Sequence, residues 1–130
     1  MKIIKSNYES YKKRISNEKL ESPLAKNIEN NNVSYFEILN DDNTFFNNFV
    51  VFDNDNNWLA IDIHNKESII DNEQLMNLIL SELKKYYSNL VLRIDEKFKN
   101  RIERAKLYGF QEIKVIKQEN YNYVELKIEL

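Results

Sequence analysis

The segment Leu107-Tyr108-Gly109-Phe110 decides the fold, because it contains the only glycine of the 130-residue chain. A pattern of helical periodicity covers residues 96–108 before this glycine, and two strand-like segments follow it. A lone glycine directly after a helical pattern predicts a left-handed C-cap, where any other side chain would be strained. We therefore expect a helix that ends at Tyr108 and a turn that leads into a terminal β-hairpin.

Working outward from this point, apolar periodicity and turn residues divide the chain into alternating elements. The patterns predict strands at 1–5, 33–39, 45–52, 58–64, 90–94, 113–117 and 121–130, and helices from residue 7, at 23–28, at 71–87 and at 96–108. Asp71 and Gln74 are spaced as a capping box for the third of these helices, and the last helix is expected to bury Phe98. The fold class is therefore α/β (α+β): a single domain, 1–130, with a mixed sheet of about six to seven strands and helices on both faces.

Composition limits the function classes that this chain can belong to. It carries 19 basic and 21 acidic residues, a net charge of −2, which makes nucleic acid an unlikely partner. It has no cysteine, so disulfides and thiolate chemistry are excluded. No signal peptide and no apolar run of about 18 residues is visible, and we expect a cytoplasmic protein without membrane contact.

The order of elements, which ends in a helix, Gly109-Phe110 and two strands, resembles that of the GNAT superfamily of acyl-CoA-dependent N-acetyltransferases. The resemblance implies that strand 58–64 splays from strand 90–94 and admits the acyl-pantetheine arm between them. It also implies a loop of pattern Arg/Gln-x-x-Gly-x-Gly/Ala before the helix at 71–87. In the family, the amides of this loop hold the pyrophosphate of the cofactor.

The chain departs from that loop pattern at three positions. Glu67 stands at the Arg/Gln position, Ile70 at the first glycine and Asn72 at the Gly/Ala position. Asp71 and Glu73 add two negative charges to the first helical turn, where they complement the helix dipole and would repel a polyphosphate. The sequence therefore predicts a helix that starts without a ligand.

The catalytic residues of the family are also incompletely matched. Ala105 lies where many members carry a proton-donating tyrosine, and Tyr108 is a weak substitute on a different helical face. Asp62 and His64 are the only ionisable side chains of strand 58–64, and their alternation places both on one face. Asp62 and His64 are therefore the candidates for a general base. Tyr108 is the remaining candidate for a catalytic residue.

We accordingly expect a catalytically degenerate GNAT-fold protein, a pseudoenzyme without a cofactor. It would bind a protein partner as an inhibitor or adaptor. One alternative is an acetyl-CoA-dependent N-acetyltransferase acting on an amine, in which the backbone of Ile61 and Ile63 holds pantetheine and Ser68 and Asn72 contact phosphates. Another alternative is a small-molecule sensor that uses the same cleft.

Separate segments of the chain bear on metal binding and on self-association. Residues 53–57 begin like a calcium loop, but Trp58 replaces its glycine and His64 its final glutamate, so a polar hairpin turn is expected. His64 has no histidine or cysteine partner for a metal, and no metal is expected. The basic residues of 96–108 are read as a solvated face, with an acidic protein as the alternative. A homodimer is possible through the edge strand 121–130.

Overall fold

The structure is a computed structural model that describes residues 1–17, 32–61 and 68–130. The described residues form one sheet and the helices that cover it. The strands are β1 Lys2–Lys5, β2 Val33–Leu39, β3 Phe45–Phe52, β4 Trp58–Ala60, β5 Asn89–Asp95, β6 Gln111–Lys117 and β7 Asn122–Glu129. The helices are α1 Tyr8–Asn17, α2 Glu73–Leu83 and α3 Lys99–Leu107, and a 3-10 turn, Ile69–Asp71, precedes α2.

The sheet has the strand order β1-β2-β3-β4-β5-β7-β6. Strands β1 to β4 are antiparallel neighbours, of which β2 to β4 form a meander. Strands β4 and β5 are parallel, and β5, β7 and β6 are antiparallel neighbours. A parallel pair needs a crossover connection, and α2 supplies it between β4 and β5. The predicted mixed sheet of six to seven strands is thereby confirmed.

Each face of the sheet has its own apolar cluster. The larger cluster packs α2 and α3 onto one face, with Met76, Ile79 and Leu90 fully enclosed. The smaller cluster lies on the opposite face, where Tyr11 of α1 packs against Tyr35. Alternation along the strands sends neighbouring side chains to these two clusters in turn, so helices cover both faces, as predicted.

The end of α3 confirms the interpretation of the lone glycine. Gly109 has a φ of +108°, which L-residues with a side chain rarely adopt. The amide of Phe110 donates to the carbonyl of Ala105 at 3.1 Å, and that of Gly109 to the carbonyl of Lys106 at 3.0 Å. These are the two hydrogen bonds of a Schellman motif, which turns the chain sharply into β6.

Three boundary predictions are wrong for local reasons. The cap of α2 is Asn72, whose Oδ1 accepts from the amide of Leu75 at 3.0 Å, so Asp71 and Gln74 form no capping box. The helix ends at Leu83 rather than 87. Phe98 is 41% exposed, because α3 begins one residue after it.

The free edge of the sheet is also different from the prediction. β7 lies between β5 and β6, so the segment 121–130 is no edge strand, and β6 takes that place. The predicted helix 23–28 lies outside the described residues. None of the helices in the described ranges combines the length and apolar character needed to cross a bilayer.

Candidate functional site

The two central parallel strands separate almost as soon as they meet. Their register contains a single pair, Trp58 with Val91, held by a hydrogen bond of 3.1 Å from the amide of Val91 to the carbonyl of Asn57. On its other side, β5 pairs with β7 along its whole length. The sheet is therefore open between β4 and the carboxyl-terminal half of β5.

A cavity of about 210 Å³ occupies this opening. We call it the β4–β5 cleft. Its walls are mainly apolar and come from both strands, the 3-10 turn and the segment before α3: Leu59, Ala60, Ile61, Ile70, Leu92, Ile94 and Phe98. Trp58 adds an aromatic wall, and the charged lining residues are Arg93, Asp95 and Arg101.

Side chains from both faces of the sheet line the cleft. Trp58 and Ala60 belong to the face of α1, whereas Leu59 and Ile70 belong to the core under α2 and α3. The cleft thus reaches through the sheet.

The backbone of β5 offers hydrogen-bonding groups inside the cleft. The amide of Val91 points toward β4, and alternation along a strand directs the amide and carbonyl of Arg93, two residues later, the same way. Within the described residues, β4 supplies no strand pair for Arg93. An extended chain that carries amide groups would find partners there.

Arg93 anchors the α1-side rim of the cleft. Its guanidinium donates two hydrogen bonds to Asp55, at 2.6 and 2.7 Å, and one to Glu125 at 3.2 Å, and it lies 4.5 Å from the centre of the Trp58 ring. The hydrogen bond to Asp55 raises the pKa of Arg93 and lowers the pKa of the Asp55 carboxyl. These contacts fix Arg93 and Trp58 as a rigid wall.

Asp95 is the single carboxylate among the described residues that line the cleft. It ends β5, pairs with Tyr123 of β7, and has the same strand parity as Arg93, which places it on the α1-side rim. Its Oδ1 accepts a hydrogen bond of 3.1 Å from the amide of Lys97. The strand prediction ended at residue 94, so sequence reasoning missed this residue.

The start of α2 is built by an apolar turn instead of glycines. Ile69 and Ile70 are buried in the core, and the amide of Asn72 donates to the carbonyl of Ile69 at 3.0 Å. Of the four amides that a helix start leaves without intrahelical partners, those of Asn72 and Leu75 are thus bound within the described chain. The amides of Glu73 and Gln74 remain as candidate donors to an anion.

The acidic residue before α2 faces two arginines of α3. The Nε of Arg101 lies 3.9 Å from Asp71 Oδ2, and the Nε of Arg104 lies 3.8 Å from Asp71 Oδ1. Arg101 also packs on the ring of Phe98 at 4.8 Å and lines the cleft. One of the two negative charges predicted to repel a polyphosphate, that of Asp71, therefore faces two positive charges. Sequence reasoning had assigned both arginines to a solvated face.

Ala105 lies within α3, Tyr108 is the residue that caps its end, and both pack on the core cluster beneath α2 and α3. The hydroxyl of Tyr108 donates to the carbonyl of Ile70 at 2.6 Å, whereas Ala105 is fully buried. The Tyr108 proton is thus engaged at the 3-10 turn, next to the cleft. A role for Tyr108 in catalysis stays a prediction.

The other predicted site residues fall into two groups. Ile61 lines the cleft. Ser68 lies at the start of the 3-10 turn, and the carbonyl of Ser68 accepts a hydrogen bond of 3.3 Å from the amide of Asp71. Asp62, Ile63 and His64 lie outside the described residues, so their predicted roles are untested.

The described ranges contain no group of three metal-ligating side chains. His64 is not among them, and the absence of a metal therefore stays an expectation.

Solved structures share this architecture over nearly the whole chain. An N-acetyltransferase from Staphylococcus aureus Mu50 has a TM-score of 0.70 and 12% identity, covering 98% of this chain and 96% of its own. A GNAT family acetyltransferase from Elizabethkingia anophelis with acetyl-CoA bound has a TM-score of 0.61 and 16% identity, over 98% and 97%. A mutant spermidine N-acetyltransferase from Vibrio cholerae gives 0.64 and 10%, over 99% and 95%. The chain has the GNAT fold.

No protein-family model and no curated protein sequence matches the chain. The structural comparison alone therefore carries the assignment, at the level of the fold.

The comparison overturns the main functional prediction. The expectation of a catalytically degenerate binding protein is wrong, because the neighbours that share this GNAT fold are acetyltransferases, and one of them holds acetyl-CoA. A protein partner stays a prediction. The charges of the first turn of α2 do not by themselves decide whether a phosphate is repelled there. The arginines that offset Asp71 belong to α3 and are distant in sequence.

The residues present fit coenzyme A. The cleft is apolar along its walls, presents the amide and carbonyl of Arg93 to an extended amide-bearing arm, and opens beside the start of α2. Arg101 places a positive charge at that opening. A chain with apolar and amide segments that ends in phosphates matches this order of groups.

Proposed function

We propose that the protein is an acetyl-CoA-dependent N-acetyltransferase that acts on an amine. The observation that supports this most directly is the divergence of β4 from β5 after a single residue pair, which opens a cavity through the sheet. Acetyl-CoA supplies an acetyl group activated as a thioester. The chain supplies the groups that bind this donor and prepare the acceptor.

The donor-binding residues follow from the cleft. The backbone of Ile61 and Arg93 holds the pantetheine arm, with Leu92 and Ile94 as apolar walls. The amides of Glu73 and Gln74 lie at the start of α2, where an anionic group is favoured by the helix dipole. Ser68 and Asn72 remain proposed phosphate contacts, although the Oδ1 of Asn72 is already used as the helix cap.

The acceptor amine enters from the α1-side rim, where Asp95 lies. A carboxylate there attracts the ammonium form of the amine and accepts the proton that its nitrogen loses before it becomes nucleophilic. The rigid wall of Trp58 and Arg93 limits the approach of the acceptor to one side. Asp62 and His64 remain competing candidates for the proton acceptor.

Binding of the donor is tested by titrating acetyl-CoA in calorimetry and in thermal unfolding. A specific site stabilises the folded state by about 2.7 kcal/mol at a hundredfold excess over Kd. Ile61→Phe, which narrows the cleft, should remove this stabilisation. Ile113→Phe is the matched control, because Ile113 is half exposed on β6, away from the cleft.

Transfer is tested by thiol release from acetyl-CoA across a panel of amines. We expect release that requires both protein and amine and yields an acetylated product by mass spectrometry. If millimolar acetyl-CoA does not stabilise the protein and no amine-dependent thiol release is seen, the proposal is contradicted.

A further inference from the structure

The contact between α3 and the start of α2 is a charge arrangement that the fold itself does not require. Asp71, Arg101 and Arg104 are all partly exposed, with side-chain exposures of 49%, 31% and 48%. Exposed ion pairs contribute little to stability. Because the apolar packing of Ile69 and Ile70 holds this turn in place, the three charged side chains remain accessible to a ligand.

The separation of the charged groups is as informative as their presence. At 3.8 and 3.9 Å, the closest nitrogen–oxygen distances exceed those of hydrogen bonds. Asp71 therefore holds both arginines near the helix start by charge, without engaging their N–H donors. Within this cluster of three side chains, two guanidinium groups face one carboxylate, and Glu73 adds a second carboxylate to the first turn of α2.

The position of the two guanidinium groups points to a phosphate group. Arg101 lines the β4–β5 cleft, and the third residue after it, Arg104, lies on the same face of α3. The Glu73 and Gln74 amides of α2 lie one and two residues beyond its Asn72 cap. Guanidinium groups bind phosphate oxygens in paired hydrogen bonds. They can therefore replace the hydrogen bonds that the backbone amides of a glycine-rich loop would donate to the phosphate.

We propose that Arg101 and Arg104 bind the diphosphate of coenzyme A in place of a glycine-rich loop, and that the diphosphate displaces the carboxylate of Asp71 from them. This inference rests on the proposed function, since it assigns a binding role within the same cleft. Asp71 is then a competitor for the arginines rather than a barrier to the ligand. Its removal should favour binding.

The test measures Kd by calorimetry for coenzyme A, dephospho-coenzyme A and pantetheine. Arg101→Gln combined with Arg104→Gln should weaken coenzyme A and dephospho-coenzyme A by about tenfold, and should leave pantetheine unchanged. Asp71→Asn should tighten both phosphate-bearing ligands by about threefold. Lys99→Gln is the control, because it also removes one positive charge from α3, at an exposed position two residues from Arg101. It should leave the Kd of all three ligands unchanged.

The outcomes separate the two proposals. If the wild-type protein binds none of the three ligands, the proposed function and this inference both fall. If it binds coenzyme A and the double variant binds equally well, only the inference falls. A loss confined to coenzyme A, with dephospho-coenzyme A unaffected, would assign the arginines to the 3′-phosphate and overturn the diphosphate assignment. If the double variant unfolds, the Asp71→Asn result decides, since tighter binding supports the exchange and unchanged binding contradicts it.

Discussion

Asp95 owes its position to the point at which β5 ends. The strand parity that turns Leu92 and Ile94 into the core turns Arg93 and Asp95 to the opposite face. Arg93 is engaged by its hydrogen bonds to Asp55 and Glu125. Asp95 accepts one backbone hydrogen bond, lies 3.8 Å from the Nζ of Lys97 and lines the cleft. At the scale of single residues, Asp95 is the described carboxylate best placed to receive a proton from an acceptor.

Asp95→Asn should lower kcat/KM by about a hundredfold at neutral pH, because proton transfer by a positioned side chain contributes that much or more. The loss should shrink as the pH rises, since the amine then deprotonates without help. Asparagine keeps an Oδ1 for the Lys97 amide, so the melting temperature and the Kd of acetyl-CoA should not change. The measurement is a pH profile of initial rates.

Glu96→Gln is the neighbouring control, because Glu96 is exposed and its Oε1 accepts from Asn122. Asp62→Asn and His64→Gln belong in the same experiment. If the pH profile of Asp95→Asn matches that of the wild type at every pH, Asp95 is not the proton acceptor. A loss of rate in Asp62→Asn or His64→Gln would then assign the role to that residue.

At the scale of elements, the C-cap of α3 sets the direction in which the chain enters β6. The Schellman motif needs a residue with positive φ at position 109, and Ile128 of β7 lies close to that residue. A Cβ atom added to Gly109 would lie 3.3 Å from Ile128 Cδ1. Both the backbone and the packing therefore favour glycine.

Gly109→Ala should reduce the free energy of unfolding by about 1–2 kcal/mol, the cost of a left-handed conformation for a residue with a side chain. Chemical denaturation measures this difference. Leu107→Ala is the control, because Leu107 is 84% exposed, and its loss should be near zero. Equal stability of Gly109→Ala and the wild type would show that the turn can relax to a different backbone.

At the scale of the whole molecule, one arginine joins the β3–β4 loop to the second half of the sheet. Arg93 of β5 binds Asp55 in the loop and Glu125 of β7. Beside it, the Tyr87 hydroxyl donates to Asp53 at 2.7 Å. These polar contacts hold together the two parts of the sheet that separate at the cleft.

Asp55→Asn should make the free energy of unfolding less dependent on pH in the acidic range. The pKa of Asp55 is lowered in the folded protein, chiefly by the hydrogen bond to Arg93, so the unfolded chain binds its proton more readily. The stabilisation is complete above the ordinary aspartate pKa of about 3.9 and is lost as the pH falls through the folded value. Because Asp55 is 48% exposed, solvent screening limits the effect to about 0.5–1 kcal/mol.

Denaturation with urea at a series of pH values checks this prediction. Asp55→Asn should be less stable than the wild type at pH 7, and the two curves should converge in acid. Glu119→Gln, in the exposed turn between β6 and β7, is the control and should run parallel to the wild type. A constant difference between Asp55→Asn and the wild type at all pH values would contradict the assigned cause.

Local patterns were sufficient for most of the architecture. Period-two alternation and helical spacing located the strands and helices of the described residues. Gly109 correctly marked the C-terminal cap of α3. Local patterns failed at the start of α2, where Asp71 looked like a cap. A 3-10 turn moved the cap to Asn72, because burial of Ile69 and Ile70 fixed the chain one residue further on.

The sequence by itself determined the order of the elements and the C-cap of α3, because periodicity and backbone propensity act between neighbours in the chain. Tertiary structure alone decided the opening of the cleft, the position of Asp95 on its wall and the pairing of Asp71 with Arg101 and Arg104. The charge at the mouth of the cleft is a sum over side chains from separate helices. Their distances are set by packing, and no short stretch of sequence contains them.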